Sequence, residues 1–530
     1  MRAHALVVAA AVLTSCGDGS NDARPDPVVH QATQELRPTD TNAGLMWHFA
    51  TGETVESFGA DGGSYLVHFT RAGVNAVPVA DADDSGVPDF VEVVDATYEQ
   101  VGALYHGPLG YRRPVSDGTI SNNGGDARFD IYLVDFARSA DGAFRVDQCQ
   151  PTSPNKCIGY VVQENDFVNY GYPSTTIANR ILASHEYFHA VQSAYDDAQN
   201  VVVSEGTAVW ATERFDPTTN DFEGFIHGYL ERTDRSIDSA PPGPVPTFAY
   251  GSAIFFKFLT ERHDDALMRK LWEHLENGQG DATEPMDQAD PTFVVQLDAL
   301  LKRDYNSSFA AEWAEFAKWN LFTSTAADAA QGYAEGFKYP LVTTTTVTMP
   351  HQVDGLRVFY ASTQYFTAPA NGRTLVTAAL VDSQLTTTDD LSGMALWLVA
   401  RKGGRNTEVV RVTNGEVVDV SGGSAIIAVT NTNRGAIGAS LSQRPGVCLG
   451  TVEEVNACIV ALGGTVATDG GVDGGNSDAG SMDTDAGMVT DAGTGGPNPP
   501  TGCGCGVGIE SSPLWLLLLA LGRRWFRFRR

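Results

Sequence analysis

Positive charge and cysteine are both scarce in this chain of 530 residues. Only 35 lysines and arginines face 65 aspartates and glutamates, which gives a formal net charge of −30 at pH 7. This balance argues against nucleic acid as a partner, because a protein that binds nucleic acid needs a basic surface. The seven cysteines include no C-x-x-C pair, so zinc sites built from cysteine are not expected.

Four of the cysteines form two closely spaced pairs. Cys149 and Cys157 flank a turn-rich stretch, residues 150–156, and Cys448 and Cys458 are similarly spaced. Such spacings suit disulfides that each close a short loop. Cys149–Cys157 and Cys448–Cys458 are therefore predicted disulfides, and they fit an oxidising compartment.

The N-terminus carries an export signal. Arg2 precedes an apolar run, residues 5–13, and Leu13-Thr14-Ser15-Cys16 closes it. This arrangement resembles a bacterial secretory signal that ends in a lipobox, and the resemblance makes Cys16 the lipidated first residue of the mature protein. The alternative is an ordinary cleaved signal that contains a cysteine.

The C-terminal end combines a spacer, two cysteines, a hydrophobic stretch and an arginine cluster. Residues 465–500 are mostly Gly, Asp, Ala, Ser and Pro, which cannot bury a core and predict a solvated spacer. Cys503 and Cys505 follow, then the apolar run 514–521, which is short for a membrane span, and then five arginines. This order resembles the MYXO-CTERM sorting signal of myxobacterial surface proteins, which implies cleavage near Cys503 by a sorting protease. A plain membrane anchor is the alternative.

The pattern H-E-x-x-H occurs at residues 185–189. On a helix, His185 and His189 project from one face and can hold one zinc ion, while Glu186 can reach a metal-bound water and take its proton. Ser174 or Thr175 can cap the helix. These residues indicate metal-assisted hydrolysis of a peptide bond. The alternative is an amphipathic helix with two core histidines.

A third zinc ligand is expected downstream, since catalytic zinc usually takes three protein groups. Ser204 can cap a second helix, which places Glu205 in its first turn, and Gly206 and Ala208 allow close helix packing. Here the chain resembles the gluzincin peptidases, which carry H-E-x-x-H on one helix and a liganding glutamate on the next. The resemblance implies zinc ligands His185, His189 and Glu205, with Glu186 as general base. Without a metal, Glu205 is an ordinary first-turn glutamate.

Three further residues have open assignments. A gluzincin site should offer a Tyr or His to the developing oxyanion, and Tyr250 is the first candidate and His227 the second. Either residue can instead serve packing or the surface. Glu213 is predicted either to support the ligands from behind or to be a solvated carboxylate.

A second metal site is predicted in the stretch 81–92, which matches a twelve-residue calcium loop. Residues 91–105 read as the helix that leaves the loop, and no helix precedes it. The expected oxygen ligands come from Asp81, Asp83, Ser85, the backbone of Val87, Asp89 and Glu92. Together with the H-E-x-x-H stretch, this loop is similar to a family of surface metalloproteases of myxobacteria, over residues 55–260. The alternative is an acidic surface turn without calcium.

The chain is predicted to have an α+β fold with a zincin-like pair of lobes followed by a β-sandwich. Residues 65–69, 129–134, 343–348, 375–381 and 395–399 read as strands, and residues 251–259 and 267–275 as helices. The predicted parts are a lipoprotein-type signal peptide (1–16), a linker (17–45), an α+β lobe with the calcium loop and H-E-x-x-H helix (46–215), a helical lobe (216–335), an accessory β-sandwich (338–445), a segment with two cysteines and a Gly/Asp/Ala-rich linker (446–500), and a sorting tail (501–530).

The leading hypothesis is a zinc-dependent endopeptidase that hydrolyses extracellular proteins or peptides, with Zn²⁺ as catalytic and Ca²⁺ as structural cofactor. The predicted location is the cell envelope, outer membrane or cell surface, with release from the cell as a further outcome. The membrane is a partner through the lipid anchor and the sorting tail, and no nucleic acid is expected. One alternative is an inert surface adhesion or scaffold protein. The other is a zinc hydrolase that acts on a non-protein amide.

Overall fold

The computed structural model describes residues 37–40, 45–150, 152–238, 247–276, 293–382, 391–433 and 442–466. The predicted signal peptide with Cys16, most of the two predicted linkers, and the predicted sorting tail with Cys503 and Cys505 lie outside the described residues. In the part of the chain that the structure describes, no helix is both long and apolar enough to cross a membrane.

The fold is α+β, as predicted, and it begins with a mixed sheet. Its strands are β1 (Glu56–Phe58), β2 (Tyr65–Phe69), β3 (Phe129–Val134), β4 (Gly142–Gln150) and β5 (Ser153–Glu164). The spatial order is β1-β2-β3-β5-β4, in which β2, β3 and β5 are parallel while β1 and β4 run antiparallel at the two edges. The strands predicted at 65–69 and 129–134 have the bounds of β2 and β3.

Both faces of this sheet are covered, which explains why its strands are so apolar. Alternate residues of β2, β3 and β5 enter a core shared with the helices on one side. Tyr132, Val134, Tyr160 and Val162 point to the other side, where Trp47 and Phe49 of the N-terminal segment cover them. The helices therefore lie on one face, and the beginning of the described chain lies on the opposite face.

Three helices complete this lobe: α1 (Asp89–His106), α2 (Thr175–Ser193) and α3 (Val201–Phe215). Ser174 caps α2 and accepts a hydrogen bond from the Ile177 amide at 3.2 Å. The predicted cap of α3 is wrong: Asn200, not Ser204, accepts from the Val202 amide at 2.7 Å. Val202 and Val203 are fully buried, so packing extends the helix one turn earlier and Glu205 lies beyond the first turn.

The middle of the chain is helical, as predicted. Its helices are α4 (Asp221–Phe225), α5 (His227–Leu230), α6 (Thr247–Gly251), α7 (Ala253–Arg262), α8 (Ala266–Leu275), α9 (Phe293–Asp304) and α10 (Phe309–Trp319). The predicted helix 251–259 is α7 with a later start, and α8 begins one residue before the predicted 267–275. Gly206 allows close packing of α3 here, since a Cβ at that position would lie 2.3 Å from the Ser252 hydroxyl oxygen.

Two antiparallel-rich sheets form the predicted sandwich. The strands are β6 (Thr345–Thr346), β7 (His351–Val353), β8 (Val358–Phe359), β9 (Ser362–Pro369), β10 (Leu375–Val381), β11 (Met394–Lys402), β12 (Arg405–Arg411), β13 (Val417–Asp419), β14 (Ser424–Asn431), β15 (Ser442–Gln443) and β16 (Gly446–Gly450). One sheet has the order β13-β10-β16-β7 and the other β12-β11-β14-β9-β6, and a single core fills the space between them. A short β15-β8 pair lies beside them.

The predicted end of the sandwich at residue 445 is too early. β16 pairs with β10 and β7 in the middle of one sheet, and Val447 and Leu449 are buried in the sandwich core. Helix α11 (Val452–Ala461) follows, with Thr451 and Glu454 forming a capping box. The predicted boundary follows the Val- and Thr-rich composition, which ends before β16 and α11. Both elements nevertheless pack as part of the sandwich.

The sandwich is packed on the helical part and shares a core with it. Tyr365, Val399, Ile426 and Ala428, on one sheet face, belong to the same apolar cluster as the helices. The Tyr365 hydroxyl donates to the Ala317 carbonyl oxygen at 2.9 Å, and the indole of Trp397 donates to that of Ala314 at 2.7 Å. The predicted accessory domain therefore packs directly against the helices, and this face of its sheet is buried.

Both predicted disulfides are present. Cys149–Cys157 joins β4 to β5 across their hairpin, and Cys448–Cys458 joins β16 to α11. The stretch 150–156 is not the open loop that its prolines and polar residues predict, because β5 already begins at Ser153. The first disulfide thus fastens the end of the edge strand β4.

Candidate metal centre

Helices α2 and α3 bring three metal-binding side chains to one point. His185 and His189 lie one turn apart on α2, and their Nε2 atoms are 3.2 Å from each other. Glu205 on α3 places its Oε2 atom 3.2 Å from Nε2 of His185 and 3.6 Å from Nε2 of His189. The structure therefore gathers the three predicted zinc ligands.

These distances fit a tetrahedral metal ion. A zinc ion with ligand bonds of about 2.0–2.1 Å holds neighbouring ligand atoms about 3.3–3.4 Å apart. The three separations in the site, from 3.2 to 3.6 Å, bracket that value. The side chains of His185, His189 and Glu205 remain 12%, 15% and 11% exposed, so a fourth position is open to solvent. Two imidazoles and one carboxylate with access to solvent are a donor set that can hold a metal ion.

Within this cluster, Glu205 and His189 stabilise each other's charged forms. Burial acts to raise the pKa of Glu205, but the charge of His189 and hydrogen bonds from both imidazoles outweigh it and lower the pKa to about 2. Burial acts to lower the pKa of His189, and the Glu205 carboxylate outweighs it and raises the pKa to about 9. The carboxylate is thus ionised at neutral pH, and a metal ion must displace a proton from the imidazole.

Glu186 lies beside the three ligands without joining them. The side chain is buried, and its Oε2 accepts a hydrogen bond from the Phe144 amide of β4 at 2.8 Å. Burial raises the pKa of Glu186, while the charges of the two histidines oppose this. The residue is therefore held separately from the ligand group, as expected of a base and not of a ligand.

A glycine lets the edge strand approach this glutamate. A Cβ at Gly142, the first residue of β4, would lie 2.6 Å from Cδ1 of Leu182 and 3.1 Å from Cγ of Glu186. Any other residue would require the side chains of Leu182 and Glu186 to move. The close approach places the backbone of β4 next to the candidate catalytic side chain.

Tyr250 is the candidate oxyanion donor that the structure brings to the site. Its ring centroid lies 6.0 Å from that of His185 and 5.0 Å from that of Phe225, on which it stacks. Burial raises the pKa of Tyr250 well above its usual value, and the charges of Glu205 and Glu186 add to this. The hydroxyl is therefore a proton donor at neutral pH. His227 begins α5, and no described hydrogen bond joins it to the ligands.

Glu213 is not the solvated carboxylate that was one of its two predicted roles, and the described contacts do not include the other, support of the ligands. Its side chain is 3% exposed, so it is not a solvated carboxylate. It accepts a hydrogen bond from the Lys257 ammonium at 2.9 Å, and among the described contacts none joins it to the metal ligands. The reason is its position on α3, two turns beyond Glu205, where it faces α7.

Two residues near the candidate metal centre were not predicted from the sequence. Gln192 is buried, and its Oε1 lies 2.8 Å from Nδ1 of His189. Its i+3 spacing from that histidine was a usable signal. Asp141, also buried, accepts a hydrogen bond from the Tyr172 hydroxyl at 2.5 Å and raises the pKa of Tyr250 as a lesser cause. No local pattern marks Asp141, because its neighbours come from distant parts of the chain.

The predicted calcium loop gathers three of its carboxylates. Oxygen atoms of Asp81, Asp83 and Asp89 all lie within 4.8 Å of one another, and Glu92 is not part of this group. The loop precedes α1 directly, as predicted, and α1 begins at Asp89. Ser85 is exposed, and its hydroxyl donates to the Val87 carbonyl oxygen of the same loop at 3.3 Å.

The backbone of this loop is shaped around Asp81. Gly86, at the sharp turn, has φ +88°, and its amide donates to the Asp81 carboxylate at 2.9 Å. Burial acts to raise the pKa of Asp81, and amide hydrogen bonds from Gly86 and Ser85 outweigh it and lower the pKa. The carboxylate is thus ionised and oriented, which suits a hard cation with oxygen ligands.

No protein-family model matches this chain, and a comparison with curated proteins finds no match. What the protein does must therefore be inferred from the residues that the fold brings together.

Proposed function

We propose that the protein is a zinc-dependent endopeptidase of the gluzincin type. The observation that carries the proposal is the spacing of the His185, His189 and Glu205 ligand atoms, 3.2 to 3.6 Å, with the Glu186 carboxylate held beside them. A carboxylate that converges on both imidazoles supplies the third ligand that a catalytic zinc site takes. The complete set of ligands and base favours an active enzyme over an inert scaffold.

The protein's own residues divide the chemistry among them. When bound, zinc lowers the pKa of a coordinated water to about 7 and polarises a carbonyl group. Glu186 accepts the proton of the attacking water and delivers it to the leaving nitrogen. The Tyr250 hydroxyl donates a hydrogen bond to the oxygen on which negative charge develops. His185, His189 and Glu205 hold the metal, and the amide of Phe144 orients Glu186.

The edge strand favours a peptide over other amides as substrate. In the described part of the sheet, β4 has β5 on one side and no strand on the other. An extended peptide can add to such an edge through main-chain hydrogen bonds. Because β4 also contacts Glu186, a peptide paired there would run past the metal ligands. We infer that the sheet lobe and the helical part form a zincin-like pair with the cleft between them.

Metal content and hydrolysis test this proposal together. Purified protein should contain one zinc ion per chain and cleave an unfolded protein substrate, and removal of zinc should abolish cleavage. Glu205→Ala should lose both zinc and activity, because two protein ligands hold zinc much less tightly than three. Protein without zinc, or a Glu205→Ala variant with full zinc content, would contradict the proposal. Zinc-dependent cleavage of small amides alone would support the hydrolase of a non-protein amide.

We further propose that Asp81, Asp83 and Asp89 hold a structural calcium ion, with Ser85 and the Val87 carbonyl oxygen as further ligands. Calcium should raise the melting temperature, because a ligand at 100 times its dissociation constant stabilises the folded state by about 2.7 kcal/mol. Asp83→Asn should reduce this shift. Asp84→Asn is the matched control, since Asp84 lies in the same loop outside the carboxylate group. Equal calcium shifts in both variants would place the ion elsewhere.

We also propose a location, based on the sequence motifs near the two ends of the chain. Cys16 lipidation and a sorting tail with Cys503 and Cys505 would place the enzyme at the cell surface, where extracellular proteins are within reach. Mass spectrometry of mature protein from the native host is the direct measurement. A C-terminus that still ends at Arg530 would rule out cleavage of the tail.

A further inference from the structure

Gln192 is a buried amide between the two helices that carry the metal ligands. It lies on α2, one turn after His189, and its Oε1 is 2.8 Å from Nδ1 of that histidine. Its Nε2 donates to the Ser204 carbonyl oxygen on α3 at 2.8 Å and to the Thr207 hydroxyl at 3.0 Å. The side chain thus touches one ligand directly and holds the helix of another.

The surroundings of Gln192 permit one orientation of its amide. A backbone carbonyl accepts hydrogen bonds and cannot donate them, so the NH₂ group must face Ser204. The Thr207 hydroxyl donates to the Val203 carbonyl oxygen at 2.7 Å and accepts from the Trp272 indole at 3.2 Å, which leaves it one further acceptor position for Gln192. The amide oxygen is therefore the atom that faces His189.

We propose that Gln192 is a positioning residue that sets the tautomer of His189 for metal binding. An amide oxygen only accepts, so Nδ1 of His189 must carry the proton, and in the neutral ring the Nε2 lone pair is then free. Nε2 is the atom that lies against His185 and Glu205. Partners on the distal ring nitrogen fix the orientation of a liganding histidine in this way. This inference rests on the proposed zinc site.

A buried glutamine can also serve structure alone, and the same lobe provides such a case. Gln163 on β5 is fully buried, donates from Nε2 to the Asn179 side chain at 2.6 Å and accepts from the Tyr98 hydroxyl at 3.0 Å. It joins α1, α2 and the sheet without touching a metal ligand. Gln163→Met is therefore a control for the loss of a buried amide network, to be compared with Gln192→Met.

Zinc affinity, measured by competition with a chelator on the full chain, separates the two roles. Gln192→Met should weaken zinc binding by about 10–100-fold, the usual effect of losing such a partner. Gln163→Met should lower the melting temperature of metal-free protein with no change in zinc affinity. Gln192→Glu keeps an acceptor for Nδ1 and loses both amide donors, so it should restore zinc affinity if the histidine is what matters.

Each outcome supports or contradicts the positioning role of Gln192. Unchanged zinc affinity in Gln192→Met, an equal loss in Gln163→Met, or a failure of Gln192→Glu to restore binding would overturn the positioning role. Should Gln192→Met not fold, Gln192→Asn replaces it, since its side chain is one methylene too short to reach Nδ1. Wild-type protein that binds no zinc would instead overturn the proposed function itself, which keeps the two failures apart.

Discussion

Replacing Glu186 by glutamine should leave one zinc ion per chain and reduce peptide hydrolysis by roughly 10²–10⁴-fold, the usual contribution of a general base. The metal should stay because the three ligand atoms come from other residues. The fold should tolerate the change, since an amide oxygen can still accept the Phe144 amide hydrogen that Glu186 accepts at 2.8 Å. What is lost is the carboxylate that takes the proton from water.

The measurements are kcat/KM on an unfolded protein or peptide substrate and zinc content by elemental analysis. Glu99→Gln is the matched control, because Glu99 also accepts a backbone amide hydrogen, from Ser64, and lies away from the ligands. It should retain activity. Normal hydrolysis by Glu186→Gln would remove Glu186 from the mechanism, and a loss of zinc would make it a ligand instead of a base.

The site's central elements were predictable because their signals are local. The i, i+4 spacing of His185 and His189 needs only one helix, and Ser174 caps that helix within the same stretch. Strands β2, β3 and β10 have the predicted bounds, since compact apolar stretches bounded by polar or turn residues mark them directly. Both disulfides join cysteines that are close in sequence, with separations of 8 and 10 positions. In each case the information lies within one element or one turn.

What escaped prediction depends on partners that are distant in sequence. Serine is a good capping residue, so the sequence predicts a cap at Ser204, but the buried valines before it belong to the helix. Once inside α3, Ser204 instead presents its carbonyl to Gln192. The role of Gln192 appears only when α2 and α3 are packed. The sequence predicts a linker at residues 17–45, yet Arg37 contacts residues that are 93 and 110 positions away.

Arg37 is a fully buried charged residue whose role the sequence does not indicate. Its side chain is fully buried on the sheet face opposite the metal helices, where it binds Asp117, Asp130 and Asp147. The contacts with Asp117 and Asp147 are 2.9 Å long, and the Tyr132 hydroxyl is 3.3 Å away. One guanidinium therefore joins three buried carboxyl groups and holds the beginning of the described chain on the sheet.

Arg37→Met should destabilise the protein by about 3–5 kcal/mol, because it removes a fully buried positive charge that contacts three buried carboxyl groups. That loss is a large share of the roughly 5–15 kcal/mol by which a domain is usually stable. The measurements are the melting temperature and the free energy of unfolding in urea. Arg71→Met is the control: Arg71 pairs with Glu56 at the surface, both partly exposed, and should cost less than about 1 kcal/mol. Similar losses in both variants would contradict the importance of burial.

The loss in Arg37→Met should also grow as the pH rises from 5 to 8. Burial raises the pKa of Asp117 from 3.8 to about 7, even with Arg37 hydrogen-bonded to it. The folded state therefore binds a proton that the unfolded state releases, so stability falls as pH rises between about 4 and 7. Without Arg37, Asp117 loses the charge and the hydrogen bond that lower its pKa, and the fall in stability should continue to higher pH. Asp117→Asn in the Arg37→Met background should reduce the slope, whereas a deficit equal at pH 5 and pH 8 would exclude these carboxylates as its cause.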